Sequence, residues 1–157
     1  MKLLHLSILM LGFACNSTID FESEVDSIKT LLNDETHYAA MGDSEKWRSC
    51  WVSTDDATVL YMSADTFVVF TNIPEFSEAL ADIEPFELNL VRGNYEFVIG
   101  EERAFVRFDQ RDNWAGVDNR TTQEYRILRK EGDRWKIQHS EVLELSSFDP
   151  DETGILN

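Results

Sequence analysis

The sequence predicts an α+β domain in which helices precede a sheet, and two changes of pattern indicate this. In the first third of the chain, apolar residues recur every three or four positions, which is the period of a helix buried along one face. From Leu88 onward, long runs rich in β-branched and aromatic residues are separated by glycine-containing turns, as in an antiparallel meander. The 157 residues, 43% of them hydrophobic, are sufficient for one domain with its own core.

The first helix is predicted to begin near Ser23, which together with Asp26 has the spacing of a capping pair. The apolar stripe that follows has helical spacing and comprises Val25, Ile28, Leu31, Leu32 and Ala39. Glu35 falls within this stripe, where a lone buried carboxylate is unfavourable without a partner. We therefore expect Glu35 to be a pocket acid or to pair with a strand arginine, such as Arg107 or Arg126.

Two further helices and six strands follow in the predicted order. Gly42 supplies a stop for the first helix and Asp43 an N-cap for the second. One face of the second helix carries Trp47, Cys50 and Trp51, and the cysteine is interpreted as a small buried hydrophobe. A third helix is predicted after Asn72. The strands are predicted at residues 58–62, 66–70, 88–99, 103–112, 121–130 and 135–145.

The two ends of the chain are predicted to lie outside the domain. Lys2, the apolar run after it and the small residue Ala14 have the layout of a secretory signal over residues 1–14. The junction with Cys15 resembles a bacterial lipobox, in which a lipid is attached to the cysteine sulfur. We expect an exported protein, either anchored in the periplasm or cell envelope by this lipid or freely secreted. The predicted divisions are a tether at 15–22, the domain at 23–145 and a flexible tail at 146–157.

Charge and missing motifs exclude several classes of function. The chain has 14 basic and 30 acidic residues, a net charge of −16, which repels nucleic acid and anionic lipid. This acidity is interpreted as a solubility feature. The sequence has no glycine-rich phosphate loop, no serine elbow and no cysteine or histidine pair at metal-ligand spacing. Neither a metal nor another cofactor is predicted.

The order of these elements resembles the nuclear transport factor two-like superfamily, in particular its SnoaL-like branch. The resemblance covers residues 25–145, and two places carry it. One is the Gly42-Asp43 junction between helices; the other is the hairpin at 132–137, Gly-Asp-Arg-Trp-Lys-Ile, followed by His139. The resemblance implies a curved, mostly antiparallel sheet wrapped on three N-terminal helices into a cone, the cystatin-like fold, with a pocket at the open end.

The resemblance also implies a homodimer formed through the outer face of the sheet. Strand residues alternate between faces, so Phe105 and Arg107 are predicted to point outward. Ala104, Val106 and Phe108 would then point inward.

The most polar candidate site comes from pairing the last two strands about the turn at Gly132-Asp133. This pairing sets Arg126 opposite His139 and Glu124 opposite Glu141. Apolar neighbours on the same strand face indicate that all four side chains point into the cone. A histidine beside carboxylates can transfer protons. The favoured interpretation is nevertheless structural, with Arg126 neutralising two glutamates in a hydrogen-bonded network.

Aromatic side chains are the other pocket candidates. Trp47, Trp51, Tyr61, Phe70, Phe108 and Trp114 could line a pocket for an apolar molecule. Core packing is the favoured interpretation for Trp47 and Phe108, whereas Trp114 falls in a predicted loop.

Three functions therefore follow from the sequence. The first hypothesis is an exported domain that binds a small, mainly apolar molecule in its pocket, with no catalysis assigned. The second is a cofactor-independent isomerase, cyclase or dehydratase that uses His139 with a nearby carboxylate such as Glu141. The third is an interaction module that dimerises through its sheet.

Overall fold

The computed structural model describes residues 19–70, 73–116 and 119–145. The predicted signal segment, Cys15, Asn72 and the predicted tail lie outside these residues. The helices are α1 Phe21–Ala40, α2 Ser44–Ser49 and α3 Ile73–Leu80, with a short 3-10 helix at Trp114–Gly116. The strands are β1 Thr58–Met62, β2 Phe67–Phe70, β3 Val91–Ile99, β4 Arg103–Asp112, β5 Arg120–Glu131 and β6 Arg134–Glu144.

Of the predicted N-terminal caps of the first two helices, the first is wrong and the second is confirmed. Asp20 caps α1, because its side chain accepts a hydrogen bond from the backbone N–H of Ser23 at 3.3 Å. The helix therefore begins before the predicted pair of Ser23 and Asp26, with the carboxylate placed favourably at the positive end of the helix. Asp43 caps α2 as predicted. Gly42 has a φ of +64°, and a Cβ there would lie 2.7 Å from the backbone oxygen of Ile83.

The strands form one six-stranded sheet in the order β2-β1-β6-β5-β4-β3. All neighbouring strands are antiparallel except β1 and β6, which are parallel. The inner face packs on the helices around a core that includes Ile28, Leu32, Trp47, Val106, Phe108, Leu128 and Ile137. Phe105 is exposed while Ala104, Val106 and Phe108 are buried, as the alternation predicts. The predicted α+β class, with a curved sheet wrapped on helices into a cone, is confirmed.

The hairpin of β5 and β6 contains a β-bulge that the sequence of its turn does not predict. Leu128 pairs with Ile137, as counting from the turn predicts, but the next residue on β5, Ile127, pairs with His139. Gln138 is therefore one extra residue on β6. A bulge of this kind inverts the facing of every later residue on its strand.

The bulge makes the predicted cross-strand partners wrong. Arg126 lies opposite Ser140 rather than a histidine, and Glu124 lies opposite Val142 rather than a glutamate. Beyond the bulge, Ser140 and Val142 are the inward residues of β6. Glu141 lies on the outer face, since residues on a strand alternate between faces.

Candidate functional site

A cavity of about 700 Å³ opens at one end of the cone. It is bounded by α1, α2, α3 and the sheet from β2 to β4, and both apolar and charged side chains line it. Its aromatic lining residues are Trp47, Trp51, Tyr61, Phe70, Phe76 and Trp114. Phe76 is a pocket residue that sequence reasoning missed, although its place on the apolar face of α3 is a usable signal.

The aromatic side chains form a continuous wall from α2 to β2. Trp47 lies between Trp51 and Phe76, with ring centroids 5.1 and 5.2 Å apart. Phe76 in turn contacts Phe70, with centroids 4.7 Å apart. These tilted contacts are favourable ring arrangements and hold the rings in fixed orientations. The wall therefore offers preformed apolar surface to a ligand.

Glu35 lies in the cavity wall on α1, which is the first of its two predicted alternatives. It is 8% exposed, and its Oε1 accepts a hydrogen bond of 2.8 Å from Trp47 Nε1. Its Oε2 lies 3.2 Å from the hydroxyl of Thr36, which also accepts a hydrogen bond from Arg92 Nη2. The predicted partner Arg107 is instead on the outer sheet face, where it pairs with Glu96 at 2.9 Å.

A buried ion pair stands on β5 at the base of the cavity. Arg126 Nη2 lies 2.5 Å from Glu124 Oε2, and the two side chains are 5% and 3% exposed. The other oxygen of Glu124 accepts a hydrogen bond of 2.9 Å from Thr122. Arg126 also donates to the backbone oxygen of Glu141, at 3.4 Å, and not to its carboxylate. The predicted bridge from Arg126 to two glutamates is therefore wrong, because the bulge turns the second glutamate outward.

A second ion pair lies nearer the mouth. Arg120 donates to both carboxylate oxygens of Asp112 at 2.8 Å, and the backbone N–H of Trp114 donates to the same carboxylate at 3.0 Å. Burial opposes ionisation of Asp112, but these donors outweigh it and hold the pKa of Asp112 below its usual range. Strand alternation from Phe108 would have identified Asp112 as inward. Its cross-strand partner Arg120 was missed because the predicted strand began one residue later, at 121.

Two acids at the mouth are hydrogen-bonded as well. The hydroxyl of Tyr61 donates to Glu144 in a short contact. Burial and, next, the carboxylate of Glu144 raise the pKa of Tyr61, so its phenol stays protonated near neutral pH. Hydrogen bonds from Ser63 and Thr66 hold the pKa of Asp65 below its usual range. Glu144 was missed because its inward facing depends on the bulge.

Three predicted site residues do not line the cavity. His139 lies on the outer face, with its Nδ1 2.6 Å from the hydroxyl oxygen of Thr58. Glu141 is on the same face, opposite Tyr125. Phe108 is fully buried in the core beneath two guanidinium groups, with the Cζ atoms of Arg92 and Arg126 5.0 and 5.6 Å from its ring centroid.

The thiol of Cys50 is placed in the core and not in the cavity. It is 4% exposed, and burial together with the carboxylate of Glu35 raises its pKa to about 12. It is therefore a small buried hydrophobe, as predicted. In the part of the chain that the structure describes, no three His, Cys, Asp or Glu side chains are grouped so that they could hold a metal ion. Neither does any described helix have the length and apolarity to cross a membrane.

Comparison with known proteins identifies the fold. No protein-family model and no curated protein sequence matches the chain. Among solved structures, a nuclear transport factor two-like protein of unknown function from Methylobacillus flagellatus matches with a TM-score of 0.61 and 20% identity, over 78% of this chain and 92% of that one. A protein of unknown function with a cystatin-like fold from Nostoc punctiforme has a TM-score of 0.64 and 12% identity, over 82% and 92% of the two chains.

A third solved structure is described as a candidate scytalone dehydratase from Novosphingobium aromaticivorans. It matches with a TM-score of 0.62 and 16% identity, over 82% of this chain and 90% of that one. At these identities the likeness concerns the fold, which serves many functions.

Proposed function

Starting from a nuclear transport factor two-like fold, we propose that the chain is an exported SnoaL-like domain that binds a small, mainly apolar molecule in its conical pocket, with no catalysis assigned. The observation that carries this proposal is the preformed aromatic wall around a cavity of about 700 Å³. Ligand pockets of proteins commonly measure about 300–1,000 Å³ and are lined mainly by apolar and aromatic side chains.

The position of His139 favours this proposal over the enzyme hypothesis. That hypothesis needs the histidine and a carboxylate within reach of a bound substrate, but His139 and Glu141 both lie on the other face of the sheet. The candidate scytalone dehydratase from Novosphingobium aromaticivorans has a similar fold but only 16% identity, so the likeness supports no particular reaction for this chain. A filled cone would have favoured the third hypothesis, whereas the cone has an open cavity.

Filling the cavity tests the proposal. Val142 lines the cavity, whereas its neighbour Leu143 lies on the outer face. We expect native mass spectrometry of the purified protein to show a co-purifying small molecule, lost in Val142→Trp and retained in the matched control Leu143→Trp. Circular dichroism would establish that both variants are folded. A wild-type protein that carries no added mass and binds no neutral naphthalene probe would contradict the proposal.

We also propose that the outer sheet face forms a homodimer interface. Val98, Phe105 and Ile127 are neighbours across β3, β4 and β5 and are 69%, 38% and 39% exposed. A second copy could cover this apolar row by two-fold symmetry. Sedimentation should then give a dimer that Ile127→Asp converts to a monomer. A wild-type monomer at tens of micromolar would refute the dimer.

We further propose that a lipid on Cys15 anchors the chain to a membrane after export. The lipobox-like junction after Ala14 supports this, and the anchor would leave the domain free in the periplasm or cell envelope. Cys15→Ala should release the protein from the membrane fraction.

A further inference from the structure

Two residues of the cavity wall have a buried N–H group with no hydrogen-bond acceptor in the described protein. These groups are the indole Nε1 of Trp51 and the guanidinium Nε of Arg126, whose residues are 2% and 4% exposed. Both residues line the same cavity. Trp51 forms a bridge to β6 at Ile137, and Arg126 pairs with β6 at Ser140, so the two residues flank the same short stretch of β6.

Other buried donors of the same kind are satisfied. The indole N–H of Trp47 donates to Glu35 at 2.8 Å, and that of Trp135 donates to Glu24 at 2.6 Å. A buried donor without an acceptor is unfavourable for folding, and the few such groups in native proteins need a physical explanation. For Trp51 and Arg126 the acceptor can come from a molecule in the cavity that both residues line.

The charges around this place favour an uncharged acceptor. Arg126 is already paired with Glu124 at 2.5 Å, so a carboxylate ligand would bring a second negative charge beside a buried one. An ammonium ligand has only N–H donors, which cannot bond to the donor N–H groups of Trp51 and Arg126. Both oxygens of the nearby acid Glu35 already accept hydrogen bonds, from Trp47 and Thr36. The hydroxyl of Ser140, directly opposite Arg126 in the wall, can add a third donor.

We propose that Trp51 and Arg126, assisted by Ser140, form a subsite for an uncharged acceptor oxygen, and that the ligand is a neutral molecule that carries this oxygen on an apolar body. The body lies against the aromatic wall, and the oxygen accepts hydrogen bonds from the two unpaired N–H groups. This inference rests on the proposed function and adds the chemical class of the ligand to it.

Matched naphthalene probes test the subsite. 2-Acetylnaphthalene and 2-ethylnaphthalene have the same carbon skeleton, but only the first has a carbonyl oxygen. In a ¹H–¹⁵N correlation spectrum of the labelled protein, we expect the ketone to shift the indole N–H resonance of Trp51 downfield. The resonance of Trp135, which is already bonded to Glu24, should stay in place. The ethyl compound should give no comparable downfield shift of the Trp51 resonance.

Affinities of the variants complete the test. Trp51→Phe keeps an aromatic ring but removes the N–H, so the ketone should bind about tenfold more weakly while the ethyl compound is unaffected. Ser140→Ala should act in the same direction. The control Ser53→Ala, outside the cavity lining, removes a hydroxyl that bonds Glu131 and should leave both affinities unchanged.

The outcomes separate this inference from the proposed function. If both probes bind equally well to the wild type and to Trp51→Phe, the subsite is wrong but the pocket binds apolar molecules. If neither probe binds, the proposed function itself fails. Tighter binding of 2-naphthoate or of 1-(2-naphthyl)ethylamine than of the ketone would overturn the assignment of an uncharged ligand.

Discussion

The closed end and the open end of the inner sheet face are built from the same three strands but have opposite chemistry. At the closed end the buried inward residues are apolar: Ala104, Val106, Phe108, Leu128, Trp135 and Ile137. At the open end they are polar or charged: Gln110, Asp112, Thr122, Glu124, Arg126 and Ser140. The closed end can be stabilised by burial alone, whereas each charged group at the open end needs its own partner.

The change coincides with the bulge on β6. Before Gln138 the inward residues of β6 are Trp135 and Ile137; after it the inward series begins with Ser140. The extra residue moves His139 out of the cone and brings Glu144 into its mouth, against Tyr61. The difference between the ends shows how this fold can maintain a pocket. At the open end, specific ion pairs and hydrogen bonds stabilise the buried polar side chains, and apolar side chains do not fill the space between them.

The largest expected effect is at the closed end. Phe108→Ala should lower the free energy of unfolding by about 4 kcal/mol, because it creates a core cavity and removes the ring beneath two guanidinium groups. The matched control is Phe105→Ala on the outer face of the same strand, where the residue is 38% exposed; it should cost less than about 1.5 kcal/mol. Urea melts of both variants would measure the difference. Equal losses of stability would contradict the assignment of Phe108 to the buried face of β4 and Phe105 to its exposed face.

At the open end the expected effect depends on pairing. Arg126→Met should lower the free energy of unfolding by about 3 kcal/mol, because it leaves Glu124 buried without its cation. Adding Glu124→Leu should recover most of this loss, since an apolar pair of similar volume is often tolerated in place of a buried ion pair. Denaturant melts of the single and double variants give the coupling energy. A double variant as unstable as the sum of both single variants would argue against the pairing.

Local patterns predicted much of the fold. The bounds of β1 and β4, the Asp43 cap and the alternation of Phe105 with Phe108 all depend on neighbouring residues, and the structure agrees with each of them. The bulge at Gln138 could not be predicted, because a register derived from a turn assumes one residue against one along the whole hairpin.

The candidate site was predicted less well than the fold because its contacts are distant in sequence. Trp47 and Glu35 were both candidates, but nothing in their spacing shows that one hydrogen-bonds the other across twelve positions. The alternation along β4 extends to Asp112, so this inward carboxylate could have been found. Its partner Arg120 is the first residue of the next strand, and no periodic pattern in the sequence connects the two residues.

The smallest expected effect concerns the ion pair of Asp112 and Arg120 near the mouth. Burial opposes ionisation of Asp112, yet the guanidinium of Arg120 and the backbone N–H of Trp114 hold its pKa below its usual range. Asp112→Asn keeps the shape of the side chain but removes its charge, so it should lower the free energy of unfolding by about 2 kcal/mol at pH 7. The matched control is Asp109→Asn on the outer face of the same strand, where the salt bridge to Arg107 is 3.3 Å long and partly exposed; it should cost less than about 1 kcal/mol.

The pH dependence of this loss has a definite sign. The pKa of Asp112 is lower in the folded chain than the value of about 3.9 expected when it is unfolded, so its ionised form stabilises the fold at all pH values above that. As the pH falls below about 4 and through the folded pKa, this contribution is lost. The wild type should therefore approach the stability of Asp112→Asn in acid. Denaturant melts between pH 7 and pH 3 would measure the gap between the two proteins. A gap that stays constant over this range would show that the loss in Asp112→Asn does not come from the charge of Asp112.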